Sequence, residues 1–206
     1  KENLKARSYL INIKEDLIRD TLEFRTAVEH IEYSVSNATK LMRLKSFEEY
    51  KTDSLLKLIP NTYYQLAINS QTFDKLINSG VTELSNFNEI FNLINIYYTK
   101  QKNLFQSVRD WDMEETKKDN ENIYNSSSFE IHSINDDIFS DQFFFVQTAQ
   151  QRHDALTKLL LSVKTRNRLR SALYRKKRIA YTYNKTLTEA NKIINAINDK
   201  LNDKIL

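Results

Sequence analysis

The chain has 206 residues, of which 40% are hydrophobic and 28% charged, with one glycine, one proline and no cysteine. An average domain of this length has about 14 glycines and about 10 prolines. This composition excludes glycine-rich phosphate loops, the nucleophile elbow of hydrolases, disulfides and thiolate catalysis. The net charge is +4, and the longest apolar run, residues 143–146, is far shorter than a bilayer span, which needs roughly 20 residues.

The first predicted element is a long helix from about residue 2 to about residue 44. Mostly apolar residues recur there every seven positions, in two series that are offset by four. The series are Leu10, Leu17, Phe24, Ile31 and Ala38, and Thr21, Val28, Val35 and Met42. Two such series on one helix are typical of a coiled-coil seam. We therefore expect this helix to bury its seam against another long helix.

Short helices are predicted between about residues 46 and 80. The clearest of them runs from residue 71 to 79, with Ser70 as its N-cap, and Gly80 lies just past its end. A glycine at this place is typical of the left-handed backbone that closes helices. We therefore interpret Gly80 as a structural C-cap rather than as a ligand contact.

A third long helix is predicted from about residue 86 to about residue 118, because its apolar residues share one broad face. They are Ile90, Phe91, Ile94, Tyr97, Tyr98, Leu104, Phe105, Val108 and Trp111. Residues 119–140 are rich in Asn, Ser and Asp and have no clear period. This composition predicts a loop there.

The last predicted element is a long helical region from about residue 141 to about residue 203, with a bend near Thr148. Its seam is Leu159, Leu173, Ala180, Leu187, Ile194 and Leu201, with a second series at Leu169, Tyr183, Ala190 and Ile197. Two long helices with narrow seams can bury each other, which favours antiparallel pairing of the chain ends. The predicted fold is an all-α, elongated antiparallel helical bundle with long coiled-coil-like first and last helices, in which residues 1–206 form a single domain.

The strongest polar feature is the basic segment, residues 164–178, which has eight basic residues and no acidic one. They are Lys164, Arg166, Arg168, Arg170, Arg175, Lys176, Lys177 and Arg178. The remaining 23 basic residues are outnumbered by 27 acidic ones, so the basic character is local. Clustered cations bind nucleic-acid phosphates, anionic lipid or an acidic partner, or pair with the chain's own carboxylates. Their spread over several helix faces favours a solvated or internally paired surface over nucleic-acid binding.

No catalytic, cofactor or metal site is predicted. The chain has three histidines, which are His30, His132 and His153. None has the spacing of a helical metal-binding pair, and we interpret His30 as structural. His132 lies near Asp136, Asp137 and Asp141, whose carboxylates could hold a cation. The alternative is a solvated acidic loop that caps the next helix.

Four carboxylates surround Trp111 on the third long helix. They are Asp110, Asp112, Glu114 and Glu115. Because they alternate in side along the helix, they cannot all face one pocket, as paired catalytic carboxylates would. We interpret them as an exposed acidic face that could lie opposite the basic segment.

Three stretches stand out by their order and spacing. They are YLINIKEDL at residues 9–17, SQTFDKLINSG at residues 70–80 and NEIFNLINIYY at residues 88–98. With the Arg-rich last helix, they resemble a bacterial family of uncharacterised single-pass inner-membrane proteins, a domain of unknown function. Members of that family have an N-terminal transmembrane helix, which this chain lacks, and usually a tyrosine where this chain has Phe73.

The resemblance implies a location on the periplasmic side of the bacterial inner membrane and a tether through a membrane helix absent from this chain. It supplies no catalytic residue and no cofactor. We expect a non-catalytic, membrane-tethered scaffold or sensor module whose partner is another envelope protein or a second copy of itself. The alternative is a cytoplasmic coiled-coil protein that binds nucleic acid or an acidic partner through residues 164–178.

Overall fold

The structure, a computed structural model, describes residues 2–81, 84–125, 129–130 and 145–202. These residues form helices joined by turns and contain no strand, which confirms the predicted all-α class. None of the helices among them combines the length and the hydropathy that crossing a bilayer requires. The chain is divided into two compact units. Unit 1 comprises Lys1–Ile31, Tyr64–Trp111 and Arg178–Leu206, and unit 2 comprises Glu32–Tyr63 and Asp112–Lys177.

The first and last helices pack against each other, as predicted. They are α1 (Glu2–Arg43) and α7 (Val163–Asn202). In unit 1, Arg7 Nη2 donates a hydrogen bond to the Leu201 carbonyl at 2.8 Å, and the Phe24 ring lies 6.1 Å from the Tyr183 ring. The residue near the start of α1 contacts the end of α7, and the residue further along α1 contacts an earlier residue of α7. The two helices are therefore antiparallel.

The first seam series is confirmed on α1, and the seam is shifted on α7. The second α1 series is buried at Thr21 and Val28 but only half-buried at Val35 and Met42. Every member of the first α1 series, from Leu10 to Ala38, is at most 2% exposed. On α7, Ala190 and Ile197 are fully buried, whereas Leu187 is half-buried. The buried face of α7 therefore follows the second predicted series, and the first series lies at its edge.

The connection between α1 and the next long helix contains less helix than predicted. It includes α2 (Thr52–Leu56) and α3 (Gln71–Asn78), and residues 60–70 between them are not helical. Gly80 follows α3 with a φ of +78°, and its N–H donates to the Ile77 carbonyl at 2.9 Å. This is the left-handed conformation expected of a glycine that closes a helix.

The third long helix is longer than predicted and contains an irregular turn. It consists of a 3₁₀ turn (Ser85–Phe87), α4 (Asn88–Ile96), a π turn (Tyr97–Gln101) and α5 (Lys102–Tyr124). The prediction of a loop from residue 119 was wrong at its start, because Asp119 and Ile123 are buried by tertiary contacts that extend the helix. Residues 126–128 and 131–140 of the predicted loop lie outside the described residues.

Two helices replace the single bent helix predicted near the end of the chain. Thr148 is the N-cap of α6 (Ala149–Leu161), where it forms a capping box with Gln151. The break lies instead at Ser162, whose hydroxyl accepts a hydrogen bond from the Thr165 N–H at 3.2 Å and so caps α7.

Each unit has its own core. In unit 1 the Phe105 ring packs between Phe24 and Tyr183, at centroid distances of 5.0 and 4.7 Å. The core of unit 2 is mainly aliphatic and is centred on Phe47, Leu156 and Leu160. Large aromatic rings suit the wider gaps between helices, which explains why a chain rich in Phe and Tyr can build such a core.

Candidate functional site

The basic segment does not form one surface. Arg175 and Lys176 are each 1% exposed and lie inside unit 2. Arg175 donates to Asp112 through Nε at 3.0 Å and to Asp119 through Nη2 at 2.7 Å. Lys176 Nζ donates to both oxygens of Asp112, at 2.7 and 2.8 Å, and to the Thr62 carbonyl at 2.6 Å. Arg168 also pairs with Asp119, at 3.3 Å. Internal pairing therefore takes up three of the eight cations.

A threonine completes this arrangement. The Thr116 hydroxyl donates to Asp112 at 3.1 Å and accepts from Arg175 at 3.3 Å and from Lys176 at 3.2 Å. We call Asp112, Thr116, Asp119, Arg175 and Lys176 the ion network. Burial lowers the pKa of Lys176, and the charge of Asp112 opposes that shift. The prediction that Asp112 lies on an exposed acidic face was wrong, because the cations of α7 hold it inside.

The other members of the basic segment are partly buried or exposed. Arg166 Nη2 donates to the Met42 carbonyl at 2.9 Å, and Arg168 Nη1 donates to the Lys118 carbonyl at 3.0 Å. Four members are exposed: Lys164, Arg170 and Lys177 in unit 2, and Arg178 in unit 1. The segment thus divides into cations that stabilise the fold and cations that face solvent.

The two histidines in the described ranges lie against other groups of the chain. The His30 ring lies 5.8 Å from the Tyr64 ring, and His153 Nε2 lies 3.1 Å from the Phe47 carbonyl oxygen. No group of three or more His, Asp and Glu side chains in those ranges could hold a metal ion. The predicted acidic loop, with His132, Asp136, Asp137 and Asp141, lies outside the described residues.

Unit 1 contains a polar cluster that sequence reasoning missed. Asp16 and Asp20 are 3% and 4% exposed and lie one turn apart on α1, so their carboxylates share a helix face. We call them the acidic pair. Their neighbours on α1, Leu17 and Phe24, are completely buried. The acidic pair therefore lies within an apolar seam rather than on a solvated face.

The segment that leads into α3 supplies most of the hydrogen bonds to the acidic pair. The Asn69 N–H donates to both oxygens of Asp20, at 3.2 and 3.1 Å. Asp16 accepts from the Asn69 side chain at 3.0 Å, from the Thr72 hydroxyl at 2.5 Å and from Arg19 at 2.8 Å. Asp16 is thus paired with a cation, whereas no basic side chain among the described residues lies within salt-bridge distance of Asp20.

Two tyrosines of the π turn complete the surroundings of the acidic pair. Tyr97 and Tyr98 are 2% and 4% exposed, and neither hydroxyl has a hydrogen-bond partner among the residues that the structure describes. The Tyr98 ring stacks on Phe73 at 4.8 Å and meets the Tyr97 ring edge-on at 5.1 Å. A π turn adds one residue to a helical turn and is often found at functional sites. Here it places two successive side chains in the interior.

The electrostatics of this site are unbalanced. Burial raises the pKa of Asp20 to about 7, the Asn69 N–H opposes the shift, and the charges of Glu23 and Asp16 add to it. Burial also raises the pKa of both Tyr97 and Tyr98, and the charge of Asp20 contributes in each case. The charge of Asp20 therefore acts on both phenols, and a pKa of about 7 lets Asp20 gain or lose a proton near neutral pH.

A signal for this site was present in the sequence, although periodicity alone did not isolate it. Asp20 directly precedes Thr21, which the heptad pattern assigned to the seam. The three stretches that carry the family resemblance also meet here. Residues 9–17 contribute Asp16, residues 70–80 contribute Thr72 and Phe73, and residues 88–98 contribute Tyr97 and Tyr98.

Comparisons of the chain with protein-family models, with curated proteins and with solved structures find no match. The site is therefore interpreted from its own chemistry.

Proposed function

We propose that the protein is a non-catalytic helical sensor or scaffold module, tethered on the periplasmic side of the bacterial inner membrane, and that the acidic pair is its responsive element. The observation that carries the sensing role is the burial of Asp20, which has no salt-bridge partner among the described residues and whose pKa burial raises to about 7. Asp20 contacts the segment before α3 through Asn69. The resemblance of residues 9–17, 70–80 and 88–98 to the inner-membrane family supports the tether and the location.

The sensing role follows from the energetics of Asp20. Its protonated form suits the apolar surroundings, whereas its charged form is compensated only in part, by the Asn69 N–H and the charge of Arg19. A change of charge therefore alters how firmly α1, the Asn69 segment and the π turn hold together. A local equilibrium of this kind can report an external condition to a partner.

Hydrogen exchange measured by mass spectrometry tests the sensing role. After correction for intrinsic rates, amides in residues 66–74 and 95–101 should exchange faster at pH 8 than at pH 6. Asp20→Asn should abolish this difference, and Asp199→Asn, a change at an exposed residue of α7, should leave it intact. Equal exchange at the two pH values in the wild type would refute the role, as would a difference that survives in Asp20→Asn.

Fractionation of bacterial cells tests the location. The tagged natural gene product should be recovered with the inner membrane and should be digested by protease added to spheroplasts. Recovery in the cytosol, or protection from that protease, would contradict the periplasmic assignment. Photo-crosslinking in intact cells should then yield an envelope protein or a homodimer, and recovery of neither would contradict the scaffold role.

One observation favours the alternative function of binding nucleic acid or an acidic partner. Arg170, Tyr174 and Lys177 are exposed at helical spacing on α7 in unit 2, an arrangement that can pair phosphates with an aromatic ring. Burial of Arg175 and Lys176 removes two cations from that surface. Binding to DNA or RNA should then fall steeply with salt, and a weak, flat response at about 50 mM salt would eliminate this alternative.

A further inference from the structure

Unit 1 contains a groove of about 260 Å³ between the π turn and α7. Tyr97 and Ile193 form its floor and are 2% and 3% exposed. Leu93 and Ile96 form one wall and are 45% and 52% exposed. These two aliphatic side chains therefore offer apolar surface that the described part of unit 1 leaves open to solvent.

The polar side of the groove is positively charged. Lys100 reaches it from the π turn, and Lys185 and Lys192 reach it from α7. Lys192 pairs with the groove's single carboxylate, that of Glu189, at 2.9 Å. Neither Lys100 nor Lys185 has a salt-bridge partner elsewhere in the described ranges. The groove thus combines an apolar wall with two uncompensated ammonium groups.

We propose that this groove binds a single-chain amphiphile with an anionic head group, either a carboxylate or a phosphate. The head group would lie between Lys100 and Lys185, and the aliphatic chain would cover Leu93 and Ile96. A small anion would gain the charge pairing but no apolar burial, and a neutral amphiphile would gain only the burial. The arrangement therefore selects for the two properties together.

The floor of the groove connects this inference with the acidic pair. Tyr97 lines the groove, and the charge of Asp20 contributes to the raised pKa of its hydroxyl. An occupant would therefore contact a residue next to the proposed responsive element. In naming a ligand class for the sensing role, the proposal rests on the function proposed above, although binding itself can be measured independently.

Calorimetric titration and NMR test the proposal with octanoate and octyl phosphate as probes. Both anions should bind saturably and shift the signals of the Gln101 side-chain amide and the Ile193 methyl groups. Octanol and acetate should each bind at least tenfold more weakly. Binding of either anion supports the proposal, and the tighter of the two identifies the head group. The absence of saturable binding by both anions, or equal binding of octanol, would overturn it.

Matched variants locate the binding. The double variant Lys100→Gln, Lys185→Gln should weaken octanoate binding at least tenfold, and so should Ile96→Ser. Lys177→Gln removes an exposed lysine of unit 2 and should leave the affinity unchanged. All of these changes are at exposed positions, so circular dichroism should show unaltered folding. Unchanged affinity in the double variant would assign the binding elsewhere and overturn the proposal.

Asp20→Asn separates this inference from the proposed function. It should retain octanoate binding while losing the pH-dependent exchange described above. If the wild type shows that pH dependence but no binding, the groove proposal fails alone. If it binds octanoate but exchanges equally at pH 6 and pH 8, the acidic pair fails as a responsive element and the groove proposal stands.

Discussion

Each unit buries carboxylates, but the two clusters differ in charge balance. In the ion network of unit 2, two carboxylates meet two buried cations, and Thr116 bonds to three of these four charged groups. The partly exposed Arg168 is a further cation at Asp119. In the acidic pair of unit 1, Asp16 has Arg19 as a partner, whereas Asp20 accepts from the Asn69 N–H and has no salt-bridge partner in the described part of the chain. Burial is similar in the two clusters, so compensation rather than depth separates them.

This difference in charge compensation determines what each cluster can do. In a network whose buried carboxylates all have cationic partners, removing any member is strongly destabilising, because the remaining charge is then buried alone. A buried carboxyl without a cationic partner instead has a raised pKa. Binding a proton removes the negative charge that burial disfavours. The first arrangement is suited to holding helices in one register, and the second to responding to conditions.

The largest expected effect comes from breaking the balance in unit 2. Arg175→Met leaves Asp119 with only the partly exposed Arg168 and removes one of the cations at Asp112. We expect the free energy of unfolding in urea at pH 7 to fall by about 3 kcal/mol or more. Arg170→Met, an exposed change on the same helix, should cost at most about 0.5 kcal/mol. A loss under about 1 kcal/mol in Arg175→Met would show that the network is not structural.

The next effect concerns the pH dependence of unit 1. Burial raises the pKa of Asp20 to about 7 in the folded protein, from an ordinary value of 3.8. Between these pH values the folded state holds a proton that the unfolded state has released, so stability falls as pH rises and levels off above about pH 7. Asp20→Asn removes this loss and should stabilise the protein at pH 8 by up to about 4 kcal/mol, with little effect at pH 4.

Asp112→Asn is the matched control, because it makes the same chemical change in the balanced cluster. It leaves Arg175 and Lys176 short of one negative charge and should destabilise the protein at pH 8 by about 3 kcal/mol. Chemical unfolding of the wild type and both variants from pH 4 to pH 8 measures these two changes in the free energy of unfolding, which should have opposite signs at pH 8. If both variants shifted stability in the same direction, the distinction between the clusters would be lost.

A smaller effect distinguishes the hydroxyl groups of the two clusters. Tyr97→Phe removes a buried hydroxyl without a partner and should be neutral or stabilising by up to about 1 kcal/mol. Thr116→Val removes a hydroxyl with three partners and should cost about 1–3 kcal/mol. Thermal unfolding compares the two. Destabilisation by Tyr97→Phe would show that its hydroxyl is bonded after all.

The smallest effect tests the helix that presents Thr72 to the acidic pair. Gly80→Ala introduces a Cβ that meets no atom within 4 Å, so the change affects only the strain of the left-handed backbone. We expect a loss of about 1 kcal/mol in stability. Asn78→Ala, two residues earlier, should change stability by at most about 0.5 kcal/mol. Equal melting temperatures for Gly80→Ala and the wild type would remove Gly80 as the structural cap.

Local sequence signals predicted the helices well where one face is continuously apolar. The predicted end of α1 at about residue 44 lies next to its observed end at Arg43. Prediction failed where long-range contacts override composition, as at Asp119, which a polar stretch assigned to a loop and the ion network holds in a helix. It also failed at Ser162, where a side-chain cap breaks a helix that hydrophobic periodicity read as continuous.

The sequence by itself determined the all-α class, the two long end helices and the left-handed glycine. These depend on residue spacing and on backbone angles, which are local properties. Which charges are buried depends on the tertiary packing. Arg175 and Lys177 are equally basic in the sequence, yet only Arg175 lies opposite carboxylates of α5. Asp16 and Asp20 likewise form a candidate site only because α3 and the π turn pack against them. Their desolvation depends on neighbours that are distant along the chain.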